Sequence, residues 1–100
     1  MAVATPSRTE PRIDRGEGSA HDRPWLVIVR NDDHNTFDGV AFALSRVVPG
    51  VTFDRGMALA NRIDRTGQAI VWSGHREPAE LYWQQLRDFG LTMAPLEPSE

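Results

Sequence analysis

The stretch of sequence that decides the fold is residues 25–37, WLVIVRNDDHNTF. Its first five residues are apolar and mostly β-branched or aromatic, a composition typical of a buried strand. The polar residues from Asn31 to Asn35 predict a loop, and Thr36 predicts a helix N-cap because its hydroxyl can accept from a free backbone amide. Loops that are positioned by rigid elements often carry function, so this loop is a candidate for a functional site.

The rest of the chain alternates helices and strands around this element. Apolar residues recur at three- and four-residue steps after Phe37, which predicts an amphipathic helix. Similar patterns predict a second helix, capped by Thr52 and ended by Gly67, and a third helix at residues 76–89. Further strands are predicted at residues 68–72 and 91–96. The order β-α-α-β-α-β predicts an α/β (α+β) fold, a two-layer sandwich with a three-stranded sheet.

The first 24 residues differ in composition from the remainder of the chain. They are rich in proline, glycine and charge, and their few apolar residues show no period. Such a segment cannot bury enough apolar surface to offset its ordering entropy, so residues 1–24 are predicted to be a disordered extension. We expect a core domain at residues 25–97 and a short C-terminal tail at residues 98–100.

Composition narrows the class of protein. The absence of cysteine excludes disulfides, thiolate nucleophiles and cysteine-based metal sites, and it fits the reducing cytoplasm. The net charge of −3 and the lack of a basic stripe argue against nucleic-acid binding. No apolar run approaches the ~20 residues that span a membrane, and no secretion signal is visible. We expect a cytoplasmic monomer, because no long apolar stripe is left over once the core faces are assigned.

The polar loop after the first strand has several interpretations from its residues alone. Asn and Asp are good turn formers, so the loop can be a simple connection. Neighbouring carboxylates suggest acid–base catalysis, but no nucleophile or orienting group accompanies them. A metal site would use Asp32, Asp33 and His34 with His75 or Asp64, yet the sequence has neither an i,i+4 histidine pair nor a calcium-loop pattern.

The remaining interpretation of the loop is capture of a cation. Fixed Asn and Asp oxygens accept charge-assisted hydrogen bonds from an ammonium group. Phe37 and Val40 would then supply an apolar floor beside those oxygens.

Three blocks of the sequence resemble a known family. Residues 25–37, with Gly67-Gln-Ala-Ile-Val71 and Glu77-Pro-Ala-Glu80, are similar to the ClpS adaptors of the Clp protease system. The likeness covers nearly all of residues 25–97, in order and with about the same spacing. It implies an adaptor without catalytic activity, cofactor or metal. Such adaptors bind substrate proteins whose N-terminal residue is leucine, phenylalanine, tyrosine or tryptophan, and they deliver these N-degrons to a ClpA or ClpC AAA+ unfoldase that feeds ClpP.

The resemblance also implies which residues hold the N-terminal amine. The family's acceptor loop matches Asn31, Asp32 and Asp33. Where members commonly carry a histidine, three residues before the Gly-x-Ala-Ile block, this chain has Asp64. A carboxylate there can also accept from an ammonium, and the alternative is that Asp64 points to solvent near a helix end.

The apolar pocket and the unfoldase contact are implied by the same resemblance. Phe37 stands at the gate position that is usually methionine, and the implied pocket walls, which ordinary core packing would equally explain, are Val40, Ala60, Ile63 and Thr92. The implied unfoldase contact comprises Glu77, Glu80 and Tyr82, although the two glutamates could simply complement a helix dipole. The N-terminal extension would aid handover or serve only as a linker.

Two departures, Phe37 and Asp64, keep a second function open. The chain could be a divergent ClpS-like paralogue whose N-degron specificity is altered or lost and which modulates the unfoldase.

Overall fold

The computed structural model describes residues 23–99, so the predicted N-terminal extension lies outside the described residues except for its last two. In chain order the elements are β1 (Trp25–Arg30), α1 (Phe37–Val47), α2 (Phe53–Thr66), β2 (Gln68–Gly74), α3 (Arg76–Asp88), β3 (Thr92–Met93) and β4 (Glu97–Pro98). The predicted mixed α/β fold is confirmed, and the three predicted helices are present.

The sheet is antiparallel, and β1 is its central strand. Along one side β1 pairs with β2, from Trp25 opposite Gly74 to Arg30 opposite Gln68, with a register shift between Val27 and Ile28. Its other side pairs with both β3 and β4. The consecutive residues Val27, Ile28 and Val29 point to alternate faces of the sheet and are all buried, which explains why the run is hydrophobic throughout.

The prediction of a three-stranded sheet was wrong by one strand. The predicted last strand, residues 91–96, is shorter than expected, and a further short strand comes after it, giving four in the sheet. Pro95 lies between β3 and β4 and has no N–H to donate, so it interrupts the ladder. The predicted tail at residues 98–100 overlaps β4, and the amide of Ser99 donates to the carbonyl of Pro24 at 2.8 Å.

The helix boundaries coincide with the predicted capping residues. The hydroxyl of Thr36 accepts from the amide of Gly39 at 2.9 Å, and the hydroxyl of Thr52 accepts from the amide of Arg55 at 3.1 Å. Gly67 ends α2 in the left-handed region at φ 94°. These caps fix where each helix begins and ends, and so where the flanking loops lie.

A single core joins the sheet to all three helices. Val27 and Val29 of β1 share it with Leu44 of α1, Leu59 of α2 and Leu86 of α3. The pair α1 and α2 packs closely, because a Cβ built at Gly56 would lie 2.8 Å from the carbonyl oxygen of Ala41. This glycine therefore permits a close approach of two helix backbones, which offsets its poor helix propensity.

The antiparallel register decides the neighbours of the loop after β1. Arg30 is paired with Gln68 on one side and with Thr92 on the other. The amide of Asn31 donates to the carbonyl of Gly67 at 2.8 Å. The polar loop, residues 31–36, thus lies between the end of α2 and the turn that leads from α3 into β3.

Candidate functional site

A small pocket lies where the polar loop meets the hydrophobic core. It is bordered by the end of β1, the loop, the first turns of α1, the second half of α2 and the residue before β3. The lining residues are Val29, Arg30, Asn31, Asp32, Asn35, Phe37, Val40, Ala60, Ile63 and Leu91. Polar groups of the loop thus stand directly beside an apolar floor, the combination that ligand sites commonly use.

The pocket is small, and Phe37 forms its most exposed apolar wall. Its cavity volume is about 20 Å³, room for roughly one water molecule. Val40, Ala60 and Ile63 are buried in the core cluster, whereas Phe37, the first residue of α1, is 38% exposed. A ligand side chain could therefore enter by displacing the Phe37 ring, while the core walls are held by packing on all sides.

Asp32 is the most heavily hydrogen-bonded side chain of the loop. Its Oδ1 accepts from the backbone amides of His34 at 3.1 Å and Asn35 at 2.8 Å. Its Oδ2 accepts from the side-chain amide of Asn35 and from the hydroxyl of Thr92, each at 2.8 Å. The Asp32 side chain is only 12% exposed, so this carboxylate belongs to the interior of the loop.

These contacts set the charge state of Asp32. Burial alone would raise the pKa of the carboxyl, but the hydrogen bonds from Asn35, Thr92 and His34 outweigh burial and lower the pKa well below its usual range. Asp32 is consequently a fixed negative charge at every pH at which the protein is expected to work.

Asp33, the next residue, lies in the opposite environment. Its side chain is fully exposed, and within residues 23–99 no hydrogen bond to its carboxylate is found. The nearest ionisable partner is the Nδ1 of His34, 3.8 Å from its Oδ1. The exposed side chain of Asn31, at the rim of the pocket, likewise leaves its amide open to a ligand.

The remaining predicted site residues divide between the pocket and its surroundings. Of the predicted set, the pocket brings together Asn31, Asp32, Phe37, Val40, Ala60 and Ile63. Thr92 does not line it and instead donates to Asp32. Asp64 is exposed in the last turn of α2 and, like Asp33, is not a lining residue.

Asn35 is the site residue that the sequence analysis did not single out. Its side-chain amide donates to Asp32 and, at 2.9 Å, to the carbonyl of Gly90. An asparagine in a strand-to-helix loop is a weak signal by itself, because local turn chemistry explains it equally well. The partner at Gly90 is 55 residues away in the chain, so the sequence could not indicate this contact.

The predicted unfoldase contact lies on α3, which begins beside the first residue of β1. Glu77 is exposed in the first turn of this helix. Glu80 accepts from the Nε of Arg76 at 2.9 Å, and Tyr82 packs edge-to-face on Trp72 with ring centroids 5.0 Å apart. The three residues therefore share a helix, but in this arrangement Glu80 already has a partner and Tyr82 is half-buried.

Two further features bear on the class of protein. Within residues 23–99, the side chains of His, Asp and Glu form no group of three that could hold a metal ion. None of the helices in that range is both long enough and apolar enough to cross a membrane. The fold, with the polar loop beside the apolar pocket, is that of a small α/β binding protein.

Comparison with known proteins identifies the family. Residues 20–94 match the family model described as ATP-dependent Clp protease adaptor protein ClpS. A ClpS adapter protein of a Nostoc species is 61% identical over 73 residues, which cover 73% of this chain and 75% of the relative. One of a Synechocystis species is 58% identical over 96 residues, covering 96% and 93% of the two chains. The chain belongs to the ClpS family of adaptors of the ATP-dependent Clp protease.

A solved structure supports the same assignment. The fold is similar to that of Agrobacterium tumefaciens ClpS2 bound to L-phenylalaninamide, with a TM-score of 0.72 and 25% sequence identity. The match covers 78% of this chain and 99% of that one. The family resemblance and the fold expected from residues 25–97 are thereby confirmed.

Proposed function

We propose that this adaptor binds the N-terminal residue of substrate proteins, an N-degron, and delivers them to a Clp AAA+ unfoldase for degradation by ClpP. The observation that carries the proposal is the juxtaposition of exposed acceptors on the polar loop with an apolar pocket that Phe37 borders. L-phenylalaninamide, the ligand of the Agrobacterium relative, combines a free α-ammonium with a phenyl ring. A ligand of that chemistry needs both halves of this site.

The ammonium group would be held by oxygens of the polar loop. An ammonium has three donors and no acceptor, so its site must supply oxygen atoms. Asn31 and Asp33 present exposed oxygens, and Asp33 adds a full negative charge that strengthens the hydrogen bond. Asp32 and Asp64 are the two further predicted acceptors, and their charges favour a cation at this end of the molecule.

The first side chain of the substrate would enter the apolar pocket. Val40, Ala60 and Ile63 offer buried apolar walls that suit leucine, phenylalanine, tyrosine or tryptophan. Phe37 would swing out to admit this side chain and then pack on it, an arrangement that favours an aromatic guest. Thr92 was predicted as a further wall and would act indirectly through Asp32.

Delivery would use the opposite part of the molecule. We expect Glu77, with Glu80 and Tyr82, to contact the N-terminal domain of an unfoldase of the ClpA or ClpC type. The adaptor itself would catalyse nothing, because the unfoldase and the peptidase perform the energy-dependent and hydrolytic steps. We expect it to act as a monomer in the cytoplasm, with residues 1–24 assisting handover.

The test is binding of fluorescent peptides that differ only in their first residue, measured by anisotropy. We expect micromolar or tighter binding when that residue is leucine, phenylalanine, tyrosine or tryptophan, and much weaker binding when it is alanine or glutamate. The matched control for each peptide is its acetylated form, which lacks the ammonium and should not bind.

The contradictory outcome is equally clear. If no peptide binds, or if acetylation changes nothing, N-degron recognition is wrong for this chain. Binding to the unfoldase N-terminal domain would then point to the alternative, a divergent ClpS-like paralogue that modulates the unfoldase.

A further inference from the structure

We propose that Asp32, Asn35 and Thr92 form a loop anchor, which positions the polar loop for its ligand and does not itself bind the ligand's ammonium group. The inference rests on the proposed function, since it assigns separate roles to neighbouring residues of the same site. The family resemblance implies that Asp32 accepts the amine and that Thr92 lines the pocket. In the structure the Thr92 hydroxyl instead donates to Asp32, whose other three hydrogen bonds come from His34 and Asn35.

The first observation is that Asp32 has no acceptor capacity to spare. An ionised carboxylate offers about four lone-pair positions on its two oxygens. The four protein hydrogen bonds from His34, Asn35 and Thr92 are divided two and two between Oδ1 and Oδ2. An ammonium that bound Asp32 directly would have to displace one of these donors and leave it without a partner in a mostly buried place, which is unfavourable.

The second observation is that Asp33 carries the same charge as Asp32 but accepts no comparable hydrogen bonds. Its carboxylate is fully exposed and accepts no hydrogen bond from residues 23–99. Adjacent carboxylates therefore differ in availability. Asp33 can bind an ammonium without breaking a hydrogen bond within residues 23–99, whereas Asp32 cannot.

The third observation is that the anchor connects distant parts of the chain. The side-chain amide of Asn35 spans the Oδ2 of Asp32 and the carbonyl of Gly90, at 2.8 and 2.9 Å. Gly90 sits in the left-handed region at φ 97°, in the turn that leads to Thr92. Two points of the polar loop are thus tied to the rest of the fold, one to the α3–β3 turn and one to the first residue of β3, which restricts how far Asn31 and Asp33 can move.

The consequence for binding is a population effect. If only a fraction of molecules holds the loop in its binding geometry, the apparent Kd equals the intrinsic Kd divided by that fraction. Weakening the anchor should lower the fraction and slow association. Removing a group that touches the ligand should instead speed dissociation, as interface contacts usually do.

The experiment compares Thr92→Val, which removes the hydroxyl donor while keeping the shape, with Thr92→Ser, which keeps the donor. Binding of a peptide with N-terminal phenylalanine is measured by stopped-flow anisotropy, at a temperature where circular dichroism shows both variants folded. We expect Thr92→Val to raise Kd by about threefold to tenfold, mainly through slower association, and Thr92→Ser to bind like the parent. Asp33→Asn should instead raise the dissociation rate.

A second readout does not depend on the ligand. Amide hydrogen exchange at His34 and Asn35 should speed up in Thr92→Val and in Asn35→Ala, and it should stay unchanged in Asp33→Asn. Loop exchange that is the same in all variants would overturn the anchor, whether or not peptides bind. Faster exchange together with an unaltered Kd would overturn the positioning role of the anchor. These residues would then stabilise the loop without affecting peptide binding. If the parent binds no peptide, the proposed function fails and the exchange data still decide whether the anchor exists.

Discussion

Within residues 23–99 the chain passes from a strand into a helix at two places, and the two connections differ sharply. Six residues, 31–36, join β1 to α1, whereas the single residue His75 joins β2 to α3. Because β1 and β2 are antiparallel, the two connections lie at opposite ends of the sheet. The long one is dense in side-chain hydrogen bonds, and the short one leaves its helix without a side-chain cap.

The difference shows what the long connection adds. One residue is enough to turn this chain from a strand into a helix, so connectivity does not require the other five. The extra length provides a capped helix start at Thr36, a largely buried carboxylate at Asp32 and a fully exposed one at Asp33. Under the proposed function, the long connection carries recognition and the short one only joins its elements.

The largest expected effect concerns the exposed carboxylate of the long connection. Asp33→Ala should weaken binding of a phenylalanine-initiated peptide by at least about 30-fold, because a charge-assisted contact to the ammonium is lost. The melting temperature should not change, since the side chain is fully exposed and accepts no hydrogen bond from residues 23–99. Asp38→Ala, another exposed aspartate nearby, is the control and should bind like the parent. Equal affinities for Asp33→Ala and the parent would remove Asp33 from the site.

The next effect concerns stability and its dependence on pH. Asp32→Asn places an NH₂ group where donors now converge, and it should cost about 1–3 kcal/mol of unfolding free energy at pH 7. A carboxyl with a lowered pKa in the folded state stabilises the fold above its ordinary pKa of 3.8, and this contribution is lost as pH falls below it. Urea titrations from pH 7 down to pH 2 should therefore show the gap between parent and variant closing below about pH 4.

The matched control for that experiment is Asp33→Asn, whose unfolding free energy should follow that of the parent from pH 7 to pH 2. A gap that stays constant with pH would show that the Asp32 charge does not contribute to folding through these hydrogen bonds.

A smaller effect compares the two helix starts directly. Thr36→Ala should destabilise the protein by about 1 kcal/mol, because the amide of Gly39 loses its acceptor. His75→Ser should raise stability by about 0.5–1 kcal/mol, because it offers α3 the cap that it lacks. Thermal unfolding measures both, and peptide binding should be unaffected in His75→Ser. Stabilisation by Thr36→Ala, or destabilisation by His75→Ser, would contradict this account of the two connections.

The smallest expected effect is on selectivity. Phe37→Ala should enlarge the pocket and allow β-branched N-terminal residues to compete better, so the preference for phenylalanine over valine peptides narrows a few-fold. Phe37→Met, which keeps a flexible apolar gate, should preserve the ranking of the parent. An unchanged ranking in Phe37→Ala would exclude a gate at this position.

Much of the fold was predictable because it depends on local patterns. The apolar run of β1, the capping threonines and the glycine at the end of α2 each act within a few residues of where they stand. The division of the last segment into β3 and β4 was missed, since two-residue strands have no pattern of their own and depend on pairing with β1.

The location of the candidate site was predictable, but the different environments of its individual residues were not. The loop composition and the family resemblance both indicated residues 31–33. Adjacent aspartates look alike in a sequence, and only the folded chain distinguishes Asp32, held by Thr92, from Asp33, open to solvent. Asn35 was missed for the same reason, because its second partner belongs to a distant turn.

The distance along the chain between the partners of the anchor has a consequence for biogenesis. Asp32 meets Thr92 across 60 residues, and Asn35 meets Gly90 across 55. Such contacts must overcome the entropy of closing a long loop and depend on elements made late in synthesis. On the ribosome, β1 and its loop exist long before Thr92 is translated. We therefore expect a nascent adaptor to be unable to hold a substrate until α3 and β3 have docked. Only fully translated molecules would then bind substrate proteins.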